Sequence, residues 1–309
     1  MNIREAHEKF STDEQCLEYI GKMRWPDGVV RCPECGGNNV KRVERKAESK
    51  NRRKWFYLCL EKSCHNHFTP TSGTIFHDTH LPLIVWFQAI TLILNAKKGI
   101  SAKQLQRDLG IGGYKTAWYL NHRIREVMAE GNVPMLGGIV EIDETYVGGR
   151  QRGHKGQMKS KDVVMGIRER GGDLRLFQVA DNSAESLAEH MKANISPKVE
   201  KVMTDEWRAY PPAMIAAGIH GSKHETIKHM DKIYVRGNVH TNTIESAFSL
   251  FKRGVIGSFH QISMKHMQRY LNEFSYRFNR REDDEAFMET VRRLAGFKPL
   301  TFGKLTAEV

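Results

Sequence analysis

The chain of 309 residues has no long apolar run. Its longest, Leu81–Leu94, spans 14 residues and contains Pro82 and Gln88, too short to cross a bilayer and suited to a buried helix. The first residues, MNIREAHEKF, carry neither an apolar stretch nor a small-residue cleavage site, so no secretory signal and a cytoplasmic location are expected. Cysteine is scarce and odd in number: there are five, and four of them cluster. That excludes a disulfide framework and favours a metal site in a reducing compartment. Internal repeats and low-complexity tracts are absent. Acidic residues are also in short supply, 36 against 48 Lys and Arg, which leaves a net charge of +12. Such an imbalance makes a polyanion the first partner to consider. At 40% hydrophobic and 9% aromatic residues the chain is globular, and it is long enough to bury a core without cross-links.

Composition and periodicity divide the chain into five parts. Residues 1–25 predict a short amphipathic helix. Residues 26–78 are rich in Cys, Gly, Pro and basic charge, and residues 79–132 are helical in pattern. From 133 to 285, short β-rich runs alternate with helical segments, which predicts an α/β domain. The expected strands are Ile139–Val147, Val163–Arg168, Leu174–Val179 and Val199–Thr204, with a helix over Ala184–Ala193 after the third. Residues 286–309 are read as a C-terminal tail, helical at first and then exposed.

Cys32-Pro-Glu-Cys35 is a C-x2-C knuckle, and Cys59 and Cys64 supply a second pair. Zn2+ takes four thiolate or imidazole ligands in a tetrahedron, and two tight turns offering two sulfurs each can build one. The second pair is C-x4-C, wider than usual, so His65 or His67 could replace one sulfur. With four soft ligands no position stays open for catalysis, so the zinc is structural. Cys16 lies apart and is expected to be a core thiol. Residues 31–64 hold ten Lys or Arg and four Glu, half of the chain's excess charge. Arg42, Arg45, Arg52, Arg53 and Lys54 are placed to meet DNA phosphates.

Ser101 can cap a helix, and a Gly-rich turn leads from it into a second helix. Leu105, Leu109 and Ile111, then Ala117, Leu120 and Ile124, keep helical spacing on both sides, the pattern of a helix-turn-helix. The second helix is expected to present Tyr114, Lys115, Thr116 and Arg123, with Lys115 a DNA contact.

Acids recur at the expected ends of secondary structure. Asp143 stands on the first strand of the α/β part with Ile142 on the opposite face. Asp205 ends a later strand, and Glu245 lies in the first turn of the helix that begins near Thr243. Two strand aspartates and a helix glutamate can converge on Mg2+ or Mn2+, which want oxygen ligands. A pair of such ions serves phosphoryl transfer in RNase H-like enzymes.

The motifs CPEC, SGTIFHDTHLPL, EIDETYVGG, VMTDEWRAY, HTNTIESAFSLFKRG and QRYLNEFSYRFNRR run from about residue 15 to 281. In kind and order they resemble the DDE transposases of bacterial insertion sequences that carry an N-terminal zinc ribbon, the ISXO-type group related to Merlin elements. The resemblance implies an RNase H-like mixed-sheet catalytic domain behind a zinc ribbon and a helix-turn-helix-like segment. It implies that Asp143 and Asp205 are the catalytic aspartates and Glu245 the third carboxylate. Asn242 is an alternative third residue, less suited because a neutral amide is a poorer Mg2+ ligand. Lys252, two helical turns beyond Glu245, matches a family lysine able to touch phosphate. The implied reaction is cleavage at transposon ends, followed by attack of the freed 3′-OH on target DNA. Terminal inverted repeats and target duplex are the implied partners, the chain acting in the nucleoid as at least a dimer. A domesticated DNA-binding regulator with the same fold but no chemistry is the alternative. Basic residues 150, 152, 155, 159 and 161 suggest a phosphate-contacting loop, and His240, beside Asn242, is a further residue of interest.

Overall fold

The computed structural model describes residues 1–46, 53–131, 133–148, 162–227 and 240–307. Arg52 and the basic loop from 149 to 161 lie outside them. The chain forms two compact units. One comprises residues 1–96, 100–128 and 282–309, the other residues 97–99 and 129–281.

The first unit opens with two short helices, α1 (Ile3–Lys9) and α2 (Asp13–Arg24), where one was expected. Each starts in a capping box, Asn2 with Glu5 and Thr12 with Gln15, which satisfies backbone N–H groups that the helix leaves open. A three-stranded antiparallel sheet follows, β1 (Val40–Glu44), β2 (Trp55–Cys59) and β3 (His67–Phe68), in that spatial order. The apolar run becomes α3 (Leu83–Asn95), whose Leu83, Trp86, Phe87, Ile90 and Ile93 are buried. The helix pair is α4 (Ala102–Asp108), capped by Ser101, and α5 (Tyr114–Glu126), with Gly110 at φ +61° in the turn between them. Cys16 is fully buried, and burial pushes its thiol up to about 12, as a core position requires.

The second unit is built on a five-stranded sheet. Its strands are β4 (Ile139–Val147), β5 (Asp162–Glu169), β6 (Leu174–Val179), β7 (Lys201–Thr204) and β8 (His224–Thr226), in the order β6-β5-β4-β7-β8. The first three are antiparallel, while β7 and β8 run parallel to β4. This is the mixed α/β sheet expected of the RNase H-like class. Helices α6 (Ala184–Asn194) and α7 (Tyr210–Ala216) cover one face, where Val140 and Ile142 meet Leu187, Met191 and Met214. Helices α8 (Asn242–Gly254) and α9 (Met264–Asn279) cover the other, where Val164 and Leu176 meet Ile244, Phe248 and Leu271. The two-residue alternation of β4 therefore aims Val140 and Ile142 one way and Glu141, Asp143 and Thr145 toward α8.

The chain then returns to the first unit with α10 (Ala286–Gly296) and α11 (Phe302–Thr306). Read as a tail, this segment is instead part of the core. Phe287, Val291, Leu294, Leu300 and Leu305 are buried, and the rings of Phe10, Phe87 and Phe287 pack within 5.8 Å of one another, Phe87 edge-on to the other two. The apolar stripe of α10 matches the open faces of α2 and α3, a pairing too distant in sequence for local pattern to show. No helix among the described residues is long and apolar enough to cross a membrane.

Candidate metal centre and carboxylate site

The cysteine centre is assembled almost wholly from turns. Cys32 and Cys35 sit on a loop closed by hydrogen bonds from Cys32 N to Gly37 O and from Gly36 N to Cys32 O, both 2.9 Å. Gly36 takes φ +75° there, a conformation that disfavours side chains with a Cβ. Cys59 ends β2, and a turn from Glu61 brings Cys64 back to it. All four sulfurs lie within 4.8 Å of one another, with Cys32–Cys64 and Cys35–Cys59 at 3.7 Å. A tetrahedron with Zn–S near 2.3 Å needs sulfurs about 3.8 Å apart, so the donor set fits Zn2+. The fourth position belongs to Cys64. His65 and His67 are outside the cluster, and the ring of His67 lies 4.9 Å from that of Phe56. Burial opposes ionisation of Cys32, yet the backbone N–H groups of Cys35 and Glu34 outweigh it and bring the thiol down to about 7.

The basic residues around this centre are partly engaged. Arg42 pairs with Glu18 at 2.7 Å and Glu44 at 2.9 Å and lies over Trp55. Arg45 covers Phe56, and Arg53 reaches Asp13 at 3.5 Å. Lys54 and Lys115 are exposed. Arg123, expected on the open face of α5, is instead 5% exposed. Its guanidinium lies against Trp86 and Tyr119 and donates to His77 O at 2.7 Å. The helical step puts residue 123 beside Leu120 and Ile124 on the inner face, and its charge misled the sequence reading.

The carboxylate site lies in the second unit. Asp143 sits mid-strand on β4, opposite Gly166 of β5. A Cβ on Gly166 would come within 2.6 Å of Ile244 and 2.7 Å of Phe248, so glycine lets α8 settle close to the sheet beside Asp143. Asp143, Glu245 and Lys252 line one cavity of about 390 Å3, with Phe248 and Ile256 among its walls. Burial, then the charges of Asp205 and Glu245, push the Asp143 carboxyl up to about 7, with Lys252 acting in the opposite sense. Asp205 follows β7, the parallel neighbour of β4, and accepts from Trp207 N at 2.9 Å. It is thus sensed at Asp143 but does not line the cavity. Asn242, on the exposed first turn of α8, does not line it either. Among the described residues only the cysteines form a group of three or more ligands gathered for one ion. Carboxylates sharing a site without a counter-ion repel one another, and oxygen donors near a cavity fit a hard cation.

Glu141 is a residue that sequence reasoning left without a role. It is fully buried on β4, two residues before Asp143. One carboxylate oxygen accepts from Thr243 N at 2.9 Å, Thr243 Oγ1 at 2.8 Å and Ile244 N at 3.0 Å. The other accepts from Arg170 Nε at 2.6 Å and lies 3.2 Å from His240 Nδ1. No side chain at the N-cap of α8 caps the helix. Glu141 does so from the sheet and fastens the helix carrying Glu245 to the strand carrying Asp143. The available signal was an acid amid the apolar residues Val140 and Ile142, where an unpaired charge would be costly. His240 serves this network.

Residues 135–279 match the model of the ISXO2-like transposase domain, and residues 11–67 match the transposase zinc-ribbon domain. A protein of Halobacterium salinarum described as an uncharacterized protein in transposable element ISH50 is 28% identical over 284 residues, covering 87% of this chain and 91% of its own length. A transposase zinc ribbon at the cysteine centre and a transposase domain around the carboxylates, in that order along the chain, place it in the family of insertion-sequence DDE transposases with an N-terminal zinc ribbon.

Proposed function

We propose that the chain cuts DNA at the ends of an insertion element and joins the freed 3′-OH to target DNA. The observation that carries this reading is Asp143, a half-buried carboxyl held on the central strand with the charges of Asp205 and Glu245 upon it and Lys252 in the same cavity. Asp143, Asp205 and Glu245 would hold Mg2+ or Mn2+, which supplies activation of an attacking oxygen and stabilisation of a leaving one. Glu245, in the cavity, is preferred over Asn242 as third residue. Lys252 is placed to meet a phosphate oxygen, and Glu141 holds α8 in register with β4. Zn2+ on Cys32, Cys35, Cys59 and Cys64 shapes the ribbon that, with α4 and α5, grips duplex DNA. Lys54 and Lys115 offer open charge. Arg42 can exchange its exposed partners Glu18 and Glu44 for phosphate, since surface pairs are weak. Two copies at least are required to bring two ends together.

The test is a metal-dependent cleavage and strand-transfer assay on DNA carrying the flanking terminal repeats, with the zinc-loaded full chain. Asp205→Asn is expected to abolish both steps while end binding persists. A variant that still cuts overturns the assignment. A wild-type chain that binds the ends but cuts in no divalent metal is the domesticated regulator instead.

A further inference from the structure

The first unit contains a cavity of about 380 Å3 that the proposed chemistry does not use. Its lining includes Trp86, Tyr119 and Phe302, together with Lys115, Thr116 and Arg123. The volume falls within the usual range for a small-ligand pocket, and its walls are largely apolar, with three aromatic rings among them. The Tyr119 hydroxyl donates to Leu300 O, which ties the segment before α11 to α5 and sets Phe302 at the cavity.

Three positive features converge here. Among the described residues Arg123 is 5% exposed, makes no ion pair and has a buried Nε without a hydrogen-bond partner, while the charge of Asp78 acts on it from the same lining. Nη2 donates to His77 O, and the guanidinium lies 4.8 Å from the Trp86 ring and 5.1 Å from the Tyr119 ring. A buried guanidinium without an ion-pair partner is unfavourable, and burial lowers its pKa although Tyr119 and the charge of Asp78 oppose the shift. Lys115 is exposed, with Nζ 5.5 Å from the Phe302 ring. Both Lys115 and Thr116 belong to the first turn of α5, a helix of 13 residues without a side-chain cap, whose open N–H groups favour an anion. The lining carboxylate, Asp78, is exposed and lies 3.5 Å from His77.

An anion attached to a flat aromatic group answers both halves of this lining, and DNA supplies that combination as a nucleotide. A base inside a duplex is stacked and paired and cannot enter a cavity backed by Trp86, which is 1% exposed. We propose that the cavity takes up one unpaired, extrahelical nucleotide of bound DNA, its phosphate held by Lys115, Arg123 and the N-terminus of α5 and its base laid against the partly open rings of Tyr119 and Phe302. This rests on the reading of the first unit as a DNA-binding unit, and it adds recognition of a distorted strand to it.

The experiment compares binding of the zinc-loaded full chain to a paired 20-bp duplex and to the same duplex with one central bulged thymidine. The bulged duplex is expected to bind about tenfold tighter, within the range for stacking one base. Phe302→Ala should bring the ratio toward one with zinc content and affinity for the paired duplex unchanged, and Lys115→Ala should weaken both duplexes but the bulged one more; a folding defect would weaken both equally. Equal wild-type affinity for the two duplexes overturns the proposal, as does a preference that survives both substitutions. Failure to bind either duplex overturns the DNA-binding reading beneath it.

Discussion

The two ligand clusters of this chain are built in opposite ways. The cysteine centre draws its donors from two turns and one strand end within 33 residues, and its sulfurs already stand at tetrahedral spacing. The carboxylate site draws on a central strand, its parallel neighbour and a helix some hundred residues later, and among the described residues its acids form no such close group. Soft thiolates on a small sheet depend on the metal for folding, whereas hard carboxylates on a large sheet are positioned by a core that stands without it. One cluster is expected to lose its fold with its ion, the other only its chemistry.

Removing one sulfur should have the largest effect. Cys59→Ser is expected to abolish zinc binding and unfold the ribbon, since structural zinc contributes on the order of 10 kcal/mol in small domains; full zinc content by elemental analysis would refute the cysteine centre. At the carboxylate site, Asp143→Asn should cut cleavage at least about a thousandfold, roughly 4 kcal/mol of barrier, with the fold intact. Its effect on metal-free stability has the opposite sign. The Asp143 carboxyl titrates near 7 in the fold and near about 3.9 when unfolded. The folded state therefore holds the proton more tightly, and this group's contribution to stability falls as pH rises from 4 to 7. The Asn variant should melt higher than wild type at pH 8, by less at pH 5, and the gap should narrow when Mg2+ is added. A gap independent of pH would contradict the burial and charge argument.

Glu141→Gln tests the link between strand and helix. It leaves Arg170 and the start of α8 facing a neutral group in a buried site, at a cost of about 3 kcal/mol, read as a lower melting temperature. Gly166→Ala should cost about 1–3 kcal/mol through overpacking against Ile244 and Phe248, and should lower cleavage more than stability by displacing α8. Smallest is Arg42→Ala, whose exposed pairs contribute under about 1 kcal/mol. If Arg42 meets a phosphate, the salt slope of DNA binding should fall by about one; an unchanged slope removes it from the interface.

Legibility in the sequence follows the range of the interaction. The strand alternation around Asp143, the Ser101 cap and the C-x2-C turn are encoded within a few residues and were readable. So was the α/β class, from the succession of strands and helices, while the mixed sheet was what the family resemblance implied. Segment 286–309 was not readable, because the apolar faces it covers on α2 and α3 lie far away in the chain. Glu141 escaped because its partners, Thr243 and Ile244, lie a hundred residues on. Arg123 was misplaced because charge was taken for exposure, and only the surrounding rings of Trp86 and Tyr119 show how a cation can be held inside.

By itself the sequence determined the donor types, the basic balance and the order of modules, since these rest on side-chain chemistry and short-range geometry. Tertiary structure alone decided that Cys64 rather than a histidine completes the sulfur set. It also decided that Glu245 rather than Asn242 shares a cavity with Asp143 and that a buried glutamate fastens α8 to β4. Each of these depends on which distant surfaces close against each other, and burial, not spacing, sets the cost of every alternative.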